Sequence, residues 1–467
     1  MKNRKFSTRT SFILLILIFT SCKRIVEVDP PKTQLPSNIV FTNDATATSA
    51  ILGIYSKMME STTLNMFPHG ACTIFGAFSS DELNFYANNS PSFSEIEANN
   101  IATNNSEVAN FWEQAYKFIY YSNSIIEGLS SSIGVTESTK KQIMGEAKFL
   151  RAFCHFYLVN LFDDVPLITT TDYRINSKVS RTSKNDVYQQ ILNDLKDAQN
   201  YLSSDFSFSS GERIRPNKWV ATALLARCYL YINDWVNAET QSTDLINNNT
   251  FTLVSDLNNV FLKNNSEAIW QLMPVGPRNN NTQEGLWFIP SSTTAKPNAI
   301  IKDSLLQSFE PGDQRKVKWI KSGTYQGQSY SSPYKYKVRA SGTNLNSTEY
   351  YTVFRLAEQY LIRAEARAQQ NNIFGAQMDL NTIRNRAGLP NTISNEKSSL
   401  LFAIERERRI ELCFEFGHRW FDLKRTNRTD ANLSILKTPN WQSTDVLYPI
   451  PQSERGKNLN LTQNPGY

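Results

Sequence analysis

The chain has 467 residues, of which 40% are hydrophobic and 12% aromatic, and a net charge of +6. This length supports a large core and allows two or three domains. The first 21 residues hold four basic residues and no acid, so the remainder is close to neutral. A near-neutral chain lacks the concentrated basic face that nucleic-acid binding needs, so we expect no nucleic-acid partner.

The N-terminus has the pattern of an export signal. Basic residues precede FILLILIF at 12–19, an apolar run typical of a signal-peptide core and too short to span a bilayer. Two small residues and then Cys22 follow, an arrangement that resembles a bacterial lipobox. We predict a signal peptide at 1–21, lipidation of Cys22, and a proline-rich, membrane-anchored tether at 22–40. Ordinary signal cleavage beside an incidental cysteine is the alternative.

Residues 41–249 are predicted to be mainly helical, because apolar residues recur there at spacings of three and four. The predicted helices are one capped by Asp44, then Glu107–Leu129, Lys140–Phe162, Lys184–Leu202 capped by Ser183, Asn217–Tyr231 and Trp235–Ile246. The polar stretch from Thr62 to Asn105 lacks this periodicity. We predict that it is a long irregular loop.

Small residues at a fixed spacing indicate how the helices pair. Ala226 and Ala238 are twelve residues apart, and so are Ala364 and Ala376. This spacing resembles that of tetratricopeptide hairpins, in which small residues let two helices approach closely. We therefore predict a mostly α protein, a tetratricopeptide-like right-handed helical solenoid with a loop-rich, partly β variable region packed on it.

Residues 250–351 are predicted to be that variable region, because helical periodicity fades and Gly, Pro, Asn, Ser and Tyr become frequent. The sequence AIWQLMPV at 268–275 predicts a strand, and Asp303–Phe309 predicts a short helix. Between them, a stretch rich in Asn, Ser and Thr is predicted to be a long loop that carries Trp287.

Residues 352–467 are organised around FEFGHRWFDLKR, which occupies 414–425. This segment is predicted to close a helix that begins near Ser399, with Gly417 placed to let the chain turn.

Within that helix, Glu407, Arg408, Arg409 and Glu411 are spaced so that opposite charges can pair along one side. We expect a buried hub with a paired charge network. A catalytic role for His418 and Glu415 is the less favoured alternative, since nothing nearby completes a triad or a metal site.

Three separated motifs resemble the SusD/RagB family. FEFGHRWFDLKR is similar to the signature ELxFEGxRWxDLxR, with Phe416 before Gly417 where the family usually has Glu. EAKFLRAFCHFYLVNLFDDVPLI resembles a second signature, with Asp163 where Gly is usual. The ending VLYPIPQSERGKNLNLTQNPGY resembles the family ending LxPIPxxE…N…LxQNPGY. The resemblance runs from Cys22 to Tyr467.

Members of that family are surface lipoproteins of Bacteroidetes that hold nutrients over a TonB-dependent outer-membrane transporter. The resemblance therefore implies a nutrient-binding protein that is lipid-anchored at the cell surface in the outer membrane. It would capture an oligosaccharide and deliver it to a SusC-like TonB-dependent barrel, acting as the barrel's lid. A peptide ligand, as the RagB branch allows, is one alternative, and a purely structural lipoprotein is another.

Saccharide binding needs flat apolar faces for pyranose rings, with amides or acids nearby for the hydroxyl groups. Aromatic residues on polar loops meet this need, and the candidates are Trp287, Phe85, Tyr86, Tyr325 and Tyr330. Trp287 ranks first because its neighbours are rich in Asn and Gln, although a loop anchor tucked into the core is the competing interpretation. We assign six other tryptophans to packing: Trp112, Trp219, Trp235, Trp270, Trp319 and Trp420.

Motifs for hydrolases, nucleotide binding and metal binding are absent from the sequence, so we predict a protein that is not an enzyme and uses no cofactor or metal. A surface glycosidase needs only two carboxylates, and Asp81 and Glu82 are the candidate pair, although solvated loop acids are the simpler interpretation. The spacing of the cysteines after Cys22 fits no zinc site, and we expect buried free thiols at Cys72, Cys154, Cys228 and Cys413.

Overall fold

The computed structural model describes residues 37–60, 67–275, 281–339 and 347–467. The predicted signal peptide, Cys22 and the tether up to residue 36 lie outside these ranges. In the part of the chain that the structure describes, no helix combines the length and apolarity needed to cross a membrane.

Helices dominate the first half of the chain. They are α1 Ser37–Val40, α2 Asp44–Met59, α3 Ala71–Ser79, α4 Pro91–Ala98, α5 Ser106–Ser130, α6 Glu137–Phe162, α7 Tyr173–Asn176, α8 Lys184–Tyr201, α9 Lys218–Tyr231 and α10 Trp235–Ile246. The long helices predicted from apolar periodicity are therefore confirmed to within three residues at each end.

The second half mixes short helices with the pairs that complete the helical body. These helices are α11 Gln283–Phe288, α12 Asp303–Leu306, α13 Gln314–Lys318, α14 Leu356–Gln369, α15 Ile373–Arg386, α16 Lys397–Glu411, α17 His418–Arg425, α18 Thr429–Leu436 and α19 Gln452–Lys457. Two 3₁₀ turns lie at Ser207–Ser209 and Ser443–Val446.

Three two-stranded antiparallel sheets belong mostly to the predicted variable region. The strands are β1 Leu83–Phe85, β2 Ala268–Leu272, β3 Ala299–Ile301, β4 Ile320–Tyr325, β5 Gln328–Pro333 and β6 Tyr351–Arg355. β1 pairs with β3, β2 with β6, and β4 with β5 through a two-residue turn. The domain boundaries predicted at 249–250 and 351–352 stay a prediction, and β6 crosses the second of them.

The helices pair as the small residues predict. Ala226 and Ala238 are fully buried in the pair α9–α10, and Ala364 and Ala376 are fully buried in the pair α14–α15. A residue without side-chain bulk at each of these positions lets the two helix axes approach closely.

Helix N-caps were predicted less well than helix bodies. Ser183 caps α8, as predicted, by accepting from the Asp186 amide. The cap of α2 is Asn43 rather than Asp44, because the Asn43 side chain accepts from the Thr46 amide. Asp44 instead accepts from the backbone and side chain of Thr136, both at 2.7 Å, and so ties the start of α2 to the start of α6.

The prediction that 62–105 is an irregular loop is wrong for its described part, which contains α3, β1 and α4. The sequence pattern did not predict α3 because all nine of its residues are buried. A helix without a polar face shows no amphipathic period. It packs against the turn before α17 so closely that a Cβ on Gly76 would lie 2.2 Å from the Gly417 Cα.

FEFGHRWFDLKR does not close one continuous helix. α16 ends at Glu411, and Phe414, Phe416 and Gly417 then adopt positive φ angles of 57°, 43° and 72° before α17 begins. The turn therefore begins earlier than Gly417, in residues that the sequence places in the helix. The strained backbone at two phenylalanines is held by burial of both side chains in the main core.

A buried charge network surrounds this turn, which we call the hub. The Arg355 guanidinium at the end of β6 donates to Glu415 at 2.7 Å, to Glu411 at 2.5 Å and to Glu267 at 2.9 Å. Lys335, which follows β5, donates to Glu415 at 2.5 Å. The hub thus joins the β2–β6 sheet and the β4–β5 sheet to the end of α16.

The predicted pairing along one side of α16 is wrong in its partners. Arg408 donates to Asp422 on α17 at 2.9 Å, and Glu407 and Glu411 both accept from Arg315 on α13. The charges of α16 therefore bind neighbouring elements rather than each other. Burial by itself would raise the pKa of Glu411, but Arg386, Arg355 and Arg315 lower it below its ordinary value.

The four cysteines at 72, 154, 228 and 413 are buried free thiols, as predicted. Burial raises the pKa of the Cys413 thiol to about 12, so this thiol stays protonated at neutral pH.

We predict that Arg355→Met lowers the free energy of unfolding by about 3–5 kcal/mol, because it leaves buried carboxylates without their main partner. Arg174→Met is the matched control, since the Arg174 side chain is 76% exposed and solvent screens its pair with Asp172. Urea denaturation of both variants measures the effect. Equal midpoints for the two variants would show that the hub does not hold the fold.

Candidate functional site

An exposed aromatic corner forms where β1 meets the β4–β5 hairpin. Tyr86 follows β1 and is positioned by its amide, which donates to the Asn298 carbonyl at 2.9 Å. Tyr325 ends β4, beside a tight turn at Gln326 and Gly327 with φ of 50° and 77°. The Tyr86 and Tyr325 rings are 6.4 Å apart and nearly perpendicular, at 89°. Both side chains are partly exposed, so the corner offers two differently oriented aromatic surfaces to solvent.

Lys296 completes the corner. Its Nζ lies 5.1 Å from the centre of the Tyr86 ring and donates to the Ala87 carbonyl at 3.1 Å. Lys296 is exposed, so it offers a charged donor beside the ring. Lys296 was not among the site residues predicted from the sequence. Its only signal was its position near the C-terminal end of a polar loop, which does not distinguish it from other lysines.

A cleft of about 440 Å³ lies beside the hairpin, between β4 and the segment that follows α11. Its apolar wall is formed by Ile289 and Pro290, and its polar lining includes the hydroxyl residues Ser292, Thr293, Ser322, Thr324 and Ser332 together with Lys321. Apolar surface beside several hydroxyl groups suits a polar ligand with one flat apolar face.

Tyr330 borders this cleft and lies across Gly323, its partner on β4. A Cβ on Gly323 would come within 2.4 Å of the Tyr330 Cζ, so the glycine makes room for the ring. The structure therefore brings Tyr86 and Tyr325 together and places Tyr330 five residues further along the same hairpin.

The expectation that Trp287 lies on an exposed loop is wrong. Residues 283–288 form α11, capped by Thr282, and Trp287 is only 3% exposed. Its ring contacts Phe78 and Phe93 and stacks against Phe85 at 6.3 Å and 15°. The polar residues around Trp287 suggested a loop, but this stretch forms a short buried helix.

Phe85 is half-buried by the same cluster and lies directly before Tyr86. The Trp287 carbonyl also accepts from the Asn298 side chain at 2.9 Å, and the Asn298 carbonyl accepts from the Tyr86 amide. Trp287 and Phe85 thus form the support under the corner, while the tyrosines form its surface.

Asp81 and Glu82, predicted to be solvated loop acids, are instead 2% and 1% exposed. Asp81 accepts from Arg419 at 2.8 and 2.9 Å and pairs with Arg409 at 2.9 Å. Burial would raise the pKa of Asp81, but these two arginines lower it. Burial and the neighbouring Asp81 charge raise the pKa of Glu82 to about 8. Because both side chains are buried, the pair is inaccessible to a glycoside, and its role is structural.

His418 and Glu415 also belong to the buried hub. Burial and the nearby Arg227 hold the pKa of His418 well below its usual value, so the ring is neutral. Glu415 accepts from Arg355 and Lys335 at 2.5–2.8 Å. The side chains of His418 and Glu415 therefore take part in packing and charge pairing.

This combination of a helical-pair body and a loop-rich face with small sheets has a fold found in the SusD superfamily. The structure resembles a SusD superfamily protein from Bacteroides vulgatus, with a TM-score of 0.79, 21% identity, and coverage of 91% of this chain and 99% of that one. It also resembles a protein named as a laminarin-binding SusD-like protein, with a TM-score of 0.77, 24% identity, and coverage of 91% and 100%.

The sequence agrees with the fold. Residues 41–230 match a SusD-like family model described as starch-binding and associating with the outer membrane, and residues 307–467 match the SusD family model. SusD-like protein P2 of Formosa agariphila is 28% identical and aligns over 98% of this chain and 99% of its own length. The protein belongs to the SusD/RagB family, as the sequence motifs predicted.

We predict that Glu82→Gln reduces the loss of stability as the pH rises from about 4.5 to about 8. The pKa of Glu82 is about 8 in the folded protein against 4.5 as its ordinary value, so the folded state holds the proton more tightly. The stability from this group is complete below about pH 4.5 and is lost as the pH rises to about 8. Glutamine does not titrate, so it removes this pH-dependent contribution to stability. Its side-chain oxygen still accepts from the Phe414 amide.

Urea denaturation across that pH range measures the difference, with Glu137→Gln as the control because the Glu137 side chain is 73% exposed. The free energy of unfolding should decline less steeply with pH in Glu82→Gln than in the wild type or the control. The same decline in all three proteins would contradict a buried, protonated Glu82.

Proposed function

We propose that this protein is a surface nutrient-binding lipoprotein that captures oligosaccharides and delivers them to a TonB-dependent SusC-like outer-membrane transporter, acting as its lid. The observation that carries the binding part is the corner of Tyr86 and Tyr325 beside a cleft rich in hydroxyl groups. The carbohydrate ligand is also supported by the fold's likeness to the protein named for laminarin binding.

The physical basis of capture is stacking combined with polar contacts. A pyranose ring has a flat C–H face, which packs on a tyrosine ring with the gain expected for buried apolar area. The perpendicular Tyr86 and Tyr325 rings suit a bent chain, because successive sugar units can meet differently oriented faces. The hydroxyl groups of Ser292 and Thr293 and the Lys296 ammonium can then bind the sugar hydroxyls. Tyr330, Phe85 and Trp287 complete the proposed site as border and support.

The proposed mechanism is capture and release without bond cleavage. Asp81 and Glu82 are the acidic pair that the sequence offered for glycoside hydrolysis, and both are buried in the hub. A binding protein needs a preformed surface, and the charge pairs around Arg355 supply rigidity to the elements that carry the two tyrosines.

The proposed location follows from the N-terminal sequence and the family. SusD family proteins are associated with the outer membrane. The signal-like segment and Cys22 support export followed by lipidation, which would place the binding face at the cell surface. In the proposed arrangement, one broad face contacts the barrel and the lipid keeps the protein beside it.

We predict that Tyr86→Ala and Tyr325→Ala each weaken oligosaccharide binding about tenfold, roughly 1.4 kcal/mol, because each removes a stacking face. Calorimetry with laminari-oligosaccharides and other glycans, beside a peptide panel, measures the affinity. Tyr173→Ala is the control, since Tyr173 is 77% exposed and lies on α7, away from the corner.

Unchanged glycan affinity in both corner variants would contradict the assigned site. Binding of peptides but of no glycan would contradict the saccharide ligand and support the peptide alternative.

We predict that Cys22→Ser moves the protein from the outer-membrane fraction to the soluble periplasmic fraction, because acyl chains supply the membrane affinity. Fractionation and protease treatment of intact cells measure this change. The wild-type protein should be cleaved at the cell surface and should copurify with a TonB-dependent barrel after mild detergent extraction. Membrane retention of Cys22→Ser, or purification of the wild type without a barrel, would contradict the proposed arrangement.

A further inference from the structure

A second pocket, of about 260 Å³, lies where α16 meets α17 and α18. Four arginines line it: Arg406, Arg409, Arg419 and Arg428. None of its lining residues belongs to the cleft beside the β4–β5 hairpin, so it is a separate site. We call it the arginine pocket.

The arginine pocket carries more positive charge than its acids balance. Asp81 is shared by Arg419 and Arg409, at 2.8–2.9 Å, and Glu405 is shared by Arg419 and Arg428. Three guanidinium groups therefore share two carboxylates, which leaves one positive charge in excess.

Of the four arginines, Arg406 has the most distant carboxylate partner. Its guanidinium lies 4.0 Å from Glu310, but Glu310 already accepts from both terminal nitrogens of Arg384, at 2.8 and 3.1 Å. Glu82, next to Asp81 in the chain, does not offset the charge, because its pKa of about 8 keeps it protonated at neutral pH. An anion in the pocket would restore the balance.

The four arginines differ in how firmly they are held. The Arg419 and Arg409 side chains are only 4% and 15% exposed, so they form a fixed floor. The Arg406 and Arg428 side chains are 49% and 37% exposed, so each can turn its donors toward a ligand at the mouth. Planar guanidinium groups bind carboxylate and sulfate oxygens with two parallel hydrogen bonds, and partial burial strengthens such pairs.

An exposed aromatic ring lies beside these cations. Phe402 on α16 is 54% exposed, and the Arg428 Cζ is 5.8 Å from the centre of its ring. A simple inorganic anion would use only the arginines. A sugar that carries an acidic group would use both features, with its apolar face on Phe402 and its anion on the guanidinium groups.

We propose that the arginine pocket binds the carboxylate or sulfate group of an acidic saccharide. The excess of guanidinium groups indicates that the ligand is anionic. That the ligand is a saccharide rests on the function proposed above. The protein would therefore select charged glycans over neutral ones.

The arginine pocket and the aromatic corner are neighbours along one short segment. Asp81 lies behind the pocket, and Tyr86 follows it by five residues through β1. Five residues span at most about 18 Å even when fully extended. The Asp81 end of the arginine pocket therefore lies within about 18 Å of Tyr86.

The test is calorimetry on the mature protein with three probes: a galacturonate hexamer, a sulfated galactan oligosaccharide and laminarihexaose. The double variant Arg406→Gln with Arg428→Gln should bind the better of the two charged probes at least about tenfold more weakly, while its affinity for laminarihexaose stays the same. Arg174→Gln, which removes one positive charge from an exposed side chain outside the pocket, should leave all three affinities unchanged. Added salt should weaken binding of the charged probe only.

The preferred charged probe identifies the anion as carboxylate or sulfate. Wild-type protein that binds charged probes no better than laminarihexaose would overturn the inference and leave the proposed function standing. Equal binding of the charged probe by the double variant and the wild type would also overturn the inference and leave the proposed function standing. Wild-type protein that binds none of the three probes would contradict both proposals.

Discussion

The structure depends on the requirement that Arg355, 2% exposed, has partners for its charge. Taking an ion out of water costs several kcal/mol, and close carboxylates offset that cost only when the geometry is good. Arg355 meets Glu267, Glu411 and Glu415, which come from the start of β2, the end of α16 and the following turn. Any displacement of one element would leave a buried charge unpaired, so these elements have one stable arrangement.

This constraint reaches the proposed binding surface through two connections. Lys335 follows the β4–β5 hairpin and bonds to Glu415, while its ammonium lies 4.4 Å from the Trp319 ring that precedes β4. On the other side, Asp81 is held by Arg419 immediately before β1. Tyr325 and Tyr86, 239 residues apart in the chain, therefore approach each other because the segments that carry them are attached to Glu415 in the turn and to Arg419 on α17 directly after it. The rigidity of the hub gives the corner a shape before any ligand binds.

The sequence predicted features that arise locally and missed those that arise from contacts between distant segments. Long helices such as α6 and the pairing of α9 with α10 followed from apolar periodicity and the spacing of Ala226 and Ala238. α3 was missed because complete burial removes the polar face that reveals a helix. Trp287 was misplaced because the polarity of its neighbours outweighed the signal of a six-residue helix. The pairing of Tyr86 with Tyr325, and the partners of the α16 charges, depend on tertiary structure that no local pattern encodes.

Because Arg355 and its carboxylates fix the elements around them, the hub should be the last part of the protein to open. Native-state hydrogen exchange of the free protein tests it most directly. The amides of β6 and α16 should exchange only through global unfolding, with the largest opening free energies in the molecule, while the turn at Gln326 and Gly327 exchanges much faster. Exchange of β6 and α16 through a local opening, at rates near those of that turn, would contradict the account.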